Sequence, residues 1–135
     1  MKHKYLLAYM DMAERFAETS CATRLKVGSL LVRGDNILSV GVNGTPVGWP
    51  TNECEDAEGN TLDIVNHSEI NLLNKMRKSS ESTLGATLFV TAMPCLKCAI
   101  QVVDAGIKSV YYRHEYRCKK GIEYLESHGI EINRI

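Results

Sequence analysis

From Thr87 onward, short strand-like runs and helical patterns alternate so closely that only one kind of chain path accommodates them. Thr87-Leu-Phe-Val-Thr91, Lys108-Ser-Val-Tyr-Tyr112 and Ile130-Glu-Ile-Asn133 read as strands, most of their residues being β-branched, aromatic or otherwise apolar. Between the first two, Ala99, Val102 and Val103 continue a helix that begins near Cys95 and that Gly106 can stop. Between the last two, a helix runs from about Arg117 to Ser127 and closes at His128-Gly129. A crossover that contains a helix joins parallel neighbours and winds right-handedly. The second half of the chain is therefore expected to form a parallel sheet.

The first half adds a hairpin and two helices. Leu6, Met10, Ala13 and Ala17 recur at the helical period from Lys4 to Ala17, with Leu7, Tyr9 and Phe16 widening the stripe. Val27–Val32 and Ile37–Val42 are β-rich runs joined by Arg33-Gly34-Asp35-Asn36, a length that closes an antiparallel hairpin. Residues 43–63 are polar and turn-rich, with Pro46, Pro50 and the single tryptophan, Trp49, and read as a long functional loop or a disordered one. The helical period returns from His67 to about Ser79, with Ile70, Leu73 and Met76 on one side. The expected class is α/β: a mixed five-stranded sheet with helices on both faces, in one domain over residues 1–135. A length of 135 residues with 44% hydrophobic and 24% charged side chains suits one domain with a real core. Ligands of such sheets bind beyond the carboxyl ends of parallel strands, here where Ala92-Met93-Pro94-Cys95 leaves its strand.

Sixteen basic and sixteen acidic side chains cancel. No global positive field draws a duplex or an anionic membrane, so neither polymeric nucleic acid nor a membrane is an expected partner, and an anionic ligand must be held locally. The apolar run from Tyr5 to Met10, closed by Asp11, is too short to span a bilayer and has no small-residue cleavage site behind it. Five cysteines, two of them in the Cys95-x-x-Cys98 spacing, fit metal or redox chemistry in a reducing compartment better than a disulfide framework. A cytoplasmic location is expected, in the host if the protein is viral.

Cys95 and Cys98 stand in the first turn of a helix, so both sulfurs project to one side and can bind one ion. His67, at the head of another helix, completes a set of one imidazole and two thiolates, a known catalytic zinc composition that leaves a fourth position for water. Glu69 follows closely enough to reach that water as a general base. Two thiolates offset the Zn²⁺ charge, and two helix N-termini aimed at the metal restore positive potential. Two other readings stand beside this one. Cys95 and Cys98 suit a thioredoxin-like redox pair, and a closed structural zinc would take Cys21, Cys54, His114 or Cys118 as its fourth ligand. By itself His67-Ser68-Glu69 is also an ordinary helix start.

His-x-Glu combined with Pro-Cys-x-x-Cys is the signature of zinc deaminases of cytosine and adenine. Further segments extend the match along nearly the whole chain: Arg24-Leu-Lys-Val-Gly28, Gly41-Val-Asn43-Gly44-Thr-Pro46-Val-Gly48, Asn52-Glu-Cys54-Glu55 and Ala105-Gly-Ile-Lys108. The sequence resembles the deoxycytidylate deaminases of the cytidine-deaminase superfamily, including phage-type members, with His67-Ser68-Glu69 where relatives usually have His-Ala-Glu. The resemblance implies a three-layer α/β/α cytidine-deaminase-like fold, catalytic Zn²⁺ on His67, Cys95 and Cys98, and hydrolytic deamination of dCMP to dUMP and ammonia. It implies hydroxide attack at C4 of the cytosine, with Glu69 delivering protons first to N3 and then to the departing amine. It places Arg24, Asn43 and Tyr116 near the sugar and phosphate, with Arg113 or Arg117 as a further anion ligand. Ala92 would line the base pocket, its carbonyl accepting from the exocyclic amine. Arg24 equally fits a solvated surface charge, and Tyr116 a core or interface aromatic.

A helix between the last two strands makes them parallel, as in the branch holding deoxycytidylate and transfer-RNA deaminases, which argues against free cytidine. Neutral charge argues against transfer RNA. The alternative substrate is dCTP, alone or together with dCMP. The family resemblance further implies a homohexamer activated by dCTP with Mg²⁺ and inhibited by dTTP, with an effector site around Asn43 to Glu55 that includes Gly44, Gly48 and Glu55. A competing class is a non-catalytic, zinc-stapled module that binds nucleotides or partners, and Glu69 is where the two differ.

Overall fold

The computed structural model describes the chain from Met1 to Ile135. Its elements are α1 (His3–Ala17), β1 (Gly28–Arg33), β2 (Asn36–Val42), α2 (Ser68–Arg77), β3 (Thr87–Ala92), α3 (Leu96–Asp104), β4 (Ser109–His114), α4 (Lys120–Ser127) and β5 (Glu131–Arg134). One five-stranded sheet runs in the order β2-β1-β3-β4-β5. β1 is antiparallel to both β2 and β3, whereas β3, β4 and β5 are mutually parallel. Each expected strand and helix is present in the expected order. The hairpin turn is tighter than the sequence suggests, because Arg33 and Asn36 pair across it and only Gly34 and Asp35 remain between the strands. Gly34 takes φ +63°, which a glycine adopts without the steric penalty of a Cβ.

Alternation along the strands divides the core between the two faces of the sheet. Leu30, Val32 and Phe89 pack with Met10 and Ala13 of α1 on one face. Leu31, Leu88 and Val90 pack on the other with Leu72, Leu73 and Met76 of α2, Ala99 and Val102 of α3, and Ile122 and Leu125 of α4. The result is the expected three-layer α/β/α arrangement. On α1 the buried residues are Met10, Ala13 and Ala17, and Leu7 and Phe16 are exposed. The apolar stripe expected there is wider than the face the sheet covers.

Residues 43–66 form an ordered loop. Gly44 and Asn66 exchange backbone hydrogen bonds at 3.1 and 2.9 Å, and Glu55 bridges to Thr61. Asp56 Oδ1 accepts from the backbone N–H of Glu58 and Asn60, closing the turn between them. The loop therefore leaves the end of β2 and returns to it, delivering His67 to the start of α2 beside the strand ends. No helix is long and apolar enough to cross a membrane.

Candidate metal centre and active site

β3 ends at Ala92, and the chain turns through Met93 and Pro94 to Cys95, the residue that caps α3. His67 occupies the same position before α2. Both backbones are extended at these caps, and neither side chain satisfies its own helix. The two helix N-termini thus leave their ligating atoms free. His67 Nδ1 lies 3.4 Å from Cys95 Sγ and 3.4 Å from Cys98 Sγ. The three ligating atoms lie within 4.8 Å of one another and are the one such group in the molecule. Around a tetrahedral zinc with ordinary Zn–S and Zn–N lengths, nitrogen and sulfur sit about 3.6 Å apart. The donor set and its spacing fit zinc.

The electrostatics of the trio follow from its crowding. Cys95 is pushed down to about 4, because the Cys98 thiol and the His67 imidazole stabilise its thiolate. Cys98 is pushed up, first by donating to Cys95, then by burial and the Glu69 carboxyl. His67 is raised by the sulfur of Cys95. Glu69 is buried beside them, and desolvation raises its carboxyl above the usual range. Ser68 Oγ donates to Glu69 Oε1 at 2.8 Å. The sequence marks Ser68 only as a departure from His-Ala-Glu and that reading misses this contact, although a hydroxyl next to a buried carboxylate is a signal for it.

A cavity of about 350 Å³ opens onto this cluster, lined by His67, Glu69 and Cys95. Arg24, Asn43, Ala92 and Tyr116 line it too, four residues drawn from separate parts of the chain. Apolar Leu25, Val27, Val65 and Met93 complete much of the wall, and sequence reasoning does not single them out as site residues. Asn43 turns its amide to the backbone: Oδ1 accepts from Val27 N–H at 2.8 Å and Nδ2 donates to Leu25 O at 2.8 Å. That leaves one N–H and one lone pair for a ligand.

Cys54 and Glu55 also line the cavity, and the remaining candidates sit elsewhere. Arg113 pairs with Asp11 at 3.0 Å, reaches Glu14 at 4.0 Å, and does not line the cavity, nor does Arg117. His114 Nε2 lies 2.7 Å from Glu14 Oε1. Cys21, Cys54 and Cys118 are free thiols outside the ligand cluster, so the closed zinc site gains no fourth ligand from these residues. Glu55 lines the cavity, whereas Gly44 and Gly48 do not.

Comparison with known proteins follows the same line. A family described as the cytidine and deoxycytidylate deaminase zinc-binding region matches residues 3–114. The dCMP deaminase of cyanophage S-TIM5, solved in complex with dCMP and dUMP, superposes with a TM-score of 0.98 at 46% identity, over 100% of this chain and 99% of that one. ComE operon protein 2 of Bacillus subtilis (strain 168) is 30% identical over 94% of this chain and 69% of its own length. The deoxycytidylate deaminase of Schizosaccharomyces pombe is 31% identical over 93% of this chain, which spans 42% of that enzyme's length.

Proposed function

The chain belongs to the cytidine and deoxycytidylate deaminase zinc-binding family, and from that premise we propose that it hydrolyses dCMP to dUMP and ammonia. The observation that carries the proposal is the meeting, at one cavity, of the His67, Cys95 and Cys98 donors with the buried carboxyl of Glu69. A redox pair would leave His67 and Glu69 without a task. The solved relative binds dCMP and dUMP, the substrate and product of this reaction.

His67 Nδ1, Cys95 Sγ and Cys98 Sγ would hold the zinc. The ion, when bound, would supply Lewis-acid activation of water at neutral pH. Ser68 holds Glu69 Oε1 and fixes the carboxylate, which accepts the proton from water. Glu69 then passes protons to N3 of the pyrimidine and to the departing amine, as C4 gains an oxygen and loses its nitrogen. The Ala92 carbonyl orients the exocyclic amine at the strand end. Val27, Val65 and Met93 exclude water around the ring.

Arg24 is the one lysine or arginine that lines the cavity, and Glu55 adds a carboxylate beside it. One guanidinium suits a monophosphate. A triphosphate would bring more negative charge against the same single cation, which favours dCMP over dCTP as substrate. Asn43 and Tyr116 complete the sugar and phosphate side. Activation by dCTP with Mg²⁺, inhibition by dTTP and a homohexamer in the cytoplasm extend the proposal, with Gly44 and Gly48 on the effector side of the loop and Glu55 at its cavity end.

The test follows the loss of the cytosine ultraviolet band in zinc-loaded protein with dCMP, with Glu69→Gln as control. The substitution is expected to keep zinc and to lower kcat by about 10²- to 10⁴-fold. Folded, zinc-replete protein that leaves dCMP and dCTP untouched would overturn the reading in favour of a zinc-stapled binding module.

A further inference from the structure

Thr23 and Arg24 lie in a bend between α1 and β1, outside any helix or strand. Such a segment holds a side chain in place only where its backbone is tied to something else. Two side chains from distant parts of the chain make those ties. Glu55 reaches across 32 positions, its Oε1 and Oε2 accepting from Thr23 N–H at 3.2 and 3.1 Å. Its Oε2 also accepts from Arg24 N–H at 3.2 Å. Asn43 then clamps Leu25 and Val27 on the far side of Arg24. Glu55 itself is anchored by the bridge to Thr61.

The clamp acts on the Arg24 backbone and forms no ion pair with its guanidinium. Arg24 takes part in none of the six ion pairs of the molecule, although it faces the cavity. A carboxylate that met the guanidinium directly would neutralise it. One that takes the amide N–H instead fixes where the side chain starts and leaves its charge for an anion.

We propose that Glu55 is a positioning residue, which fixes the backbone of Thr23 and Arg24 so that the Arg24 guanidinium meets the phosphate of the nucleotide. This rests on the reading of Arg24 as the phosphate ligand.

The experiment compares binding of dUMP and of deoxyuridine, which lacks the phosphate, to zinc-loaded wild type, Arg24→Ala, Glu55→Ala, Glu55→Gln and the double variant Arg24→Ala/Glu55→Ala. Arg24→Ala is expected to weaken dUMP and spare deoxyuridine. Glu55→Ala should do the same, by roughly 10- to 100-fold, and should add nothing to Arg24→Ala in the double variant. Glu55→Gln, which keeps an acceptor oxygen without the charge, should fall between Glu55→Ala and wild type, and it carries the comparison if Glu55→Ala does not fold. Equal weakening of both ligands by either Glu55 variant, or no weakening of dUMP, overturns the inference while the Arg24 reading stands. If Arg24→Ala fails to separate the two ligands, the reading of Arg24 falls and the inference with it.

Discussion

Gly121 packs so tightly on Pro94 that a Cβ built at Gly121 would lie 2.2 Å from the Pro94 carbonyl oxygen. The same Cβ would meet the carbonyl carbon and oxygen of Cys95 at 2.8 and 2.9 Å. The N-terminal turn of α4 is thereby pressed against the turn that carries a zinc-ligand candidate. Every atom in the way belongs to backbone, so no rotamer change relieves the contact.

Gly121→Ala should therefore displace either α4 or the Pro94–Cys95 turn. Overpacking of this kind costs about 1–3 kcal/mol. The expected outcome is a lower unfolding midpoint together with faster loss of zinc to a chelator. A variant that loses stability but keeps its zinc as the wild type does would show that α4 gives way and the metal turn does not.

Zinc removal should expose one unusually acidic thiol. In the metal-free protein Cys95 is held down to about 4 by Cys98 and His67, so it is a thiolate at pH 6, where an ordinary cysteine is almost wholly a thiol. Cys98 is shifted the opposite way. Iodoacetamide at pH 6 is expected to label Cys95 ahead of the exposed Cys21 and Cys118, and added zinc should suppress the labelling. Mass spectrometry of the labelled peptides reads both results.

The Glu55 clamp should survive mild acid. Hydrogen bonds from the Arg24 and Thr23 backbone N–H groups hold its carboxyl below the usual range. A carboxylate lowered in the folded state stabilises the fold above its unfolded pKa, and that contribution is lost as pH falls through the lowered folded value. The amide resonances of Thr23 and Arg24 should accordingly titrate with a midpoint below that of an ordinary glutamate. Glu55→Gln should abolish the titration at both amides.

Phe89 anchors the α1 face. It is fully buried, with ring centroids 5.4 Å from Tyr9 and 5.3 Å from Tyr111. Phe89→Ala removes both aromatic contacts and leaves a cavity under α1, at a cost of about 3–5 kcal/mol. Urea unfolding is the measurement, and a loss under about 1 kcal/mol would mean that α1 collapses into the space.

Patterns carried within a few residues are legible in the sequence. The β-rich run Thr87–Thr91 marks β3, the period near 3.6 in Leu6, Met10, Ala13 and Ala17 marks α1, and Gly106 at φ +75° lies where the sequence predicts that α3 stops. The candidate ligand trio is also legible as residue types at helix starts, with His67 and Cys95 at the caps and Cys98 in the first turn of α3. Other features are not. Leu7 and Phe16 fit the α1 stripe by period alone, and only the width of the sheet beneath leaves them exposed. Arg113 carries the right charge for a phosphate, yet it is paired with Asp11 of α1 and lies outside the cavity wall. The composition of residues 43–63 is the same for an ordered loop as for a disordered one, and the backbone exchange between Gly44 and Asn66 decides the matter.

Local sequence thus determined the order of the elements, the mixed sheet and the residue types of the candidate zinc ligands, since periodicity and helix-start chemistry act over a few residues. The tertiary structure alone decided that Glu55 takes the amides of Thr23 and Arg24, that Asn43 commits one N–H and one lone pair of its amide to Leu25 and Val27, and that Gly121 meets Pro94. Each of these pairings spans 16 to 32 residues. Which donor finds which acceptor across such a span depends on how the sheet and helices pack, and a hydrogen-bonding group in the sequence carries no record of its distant partner.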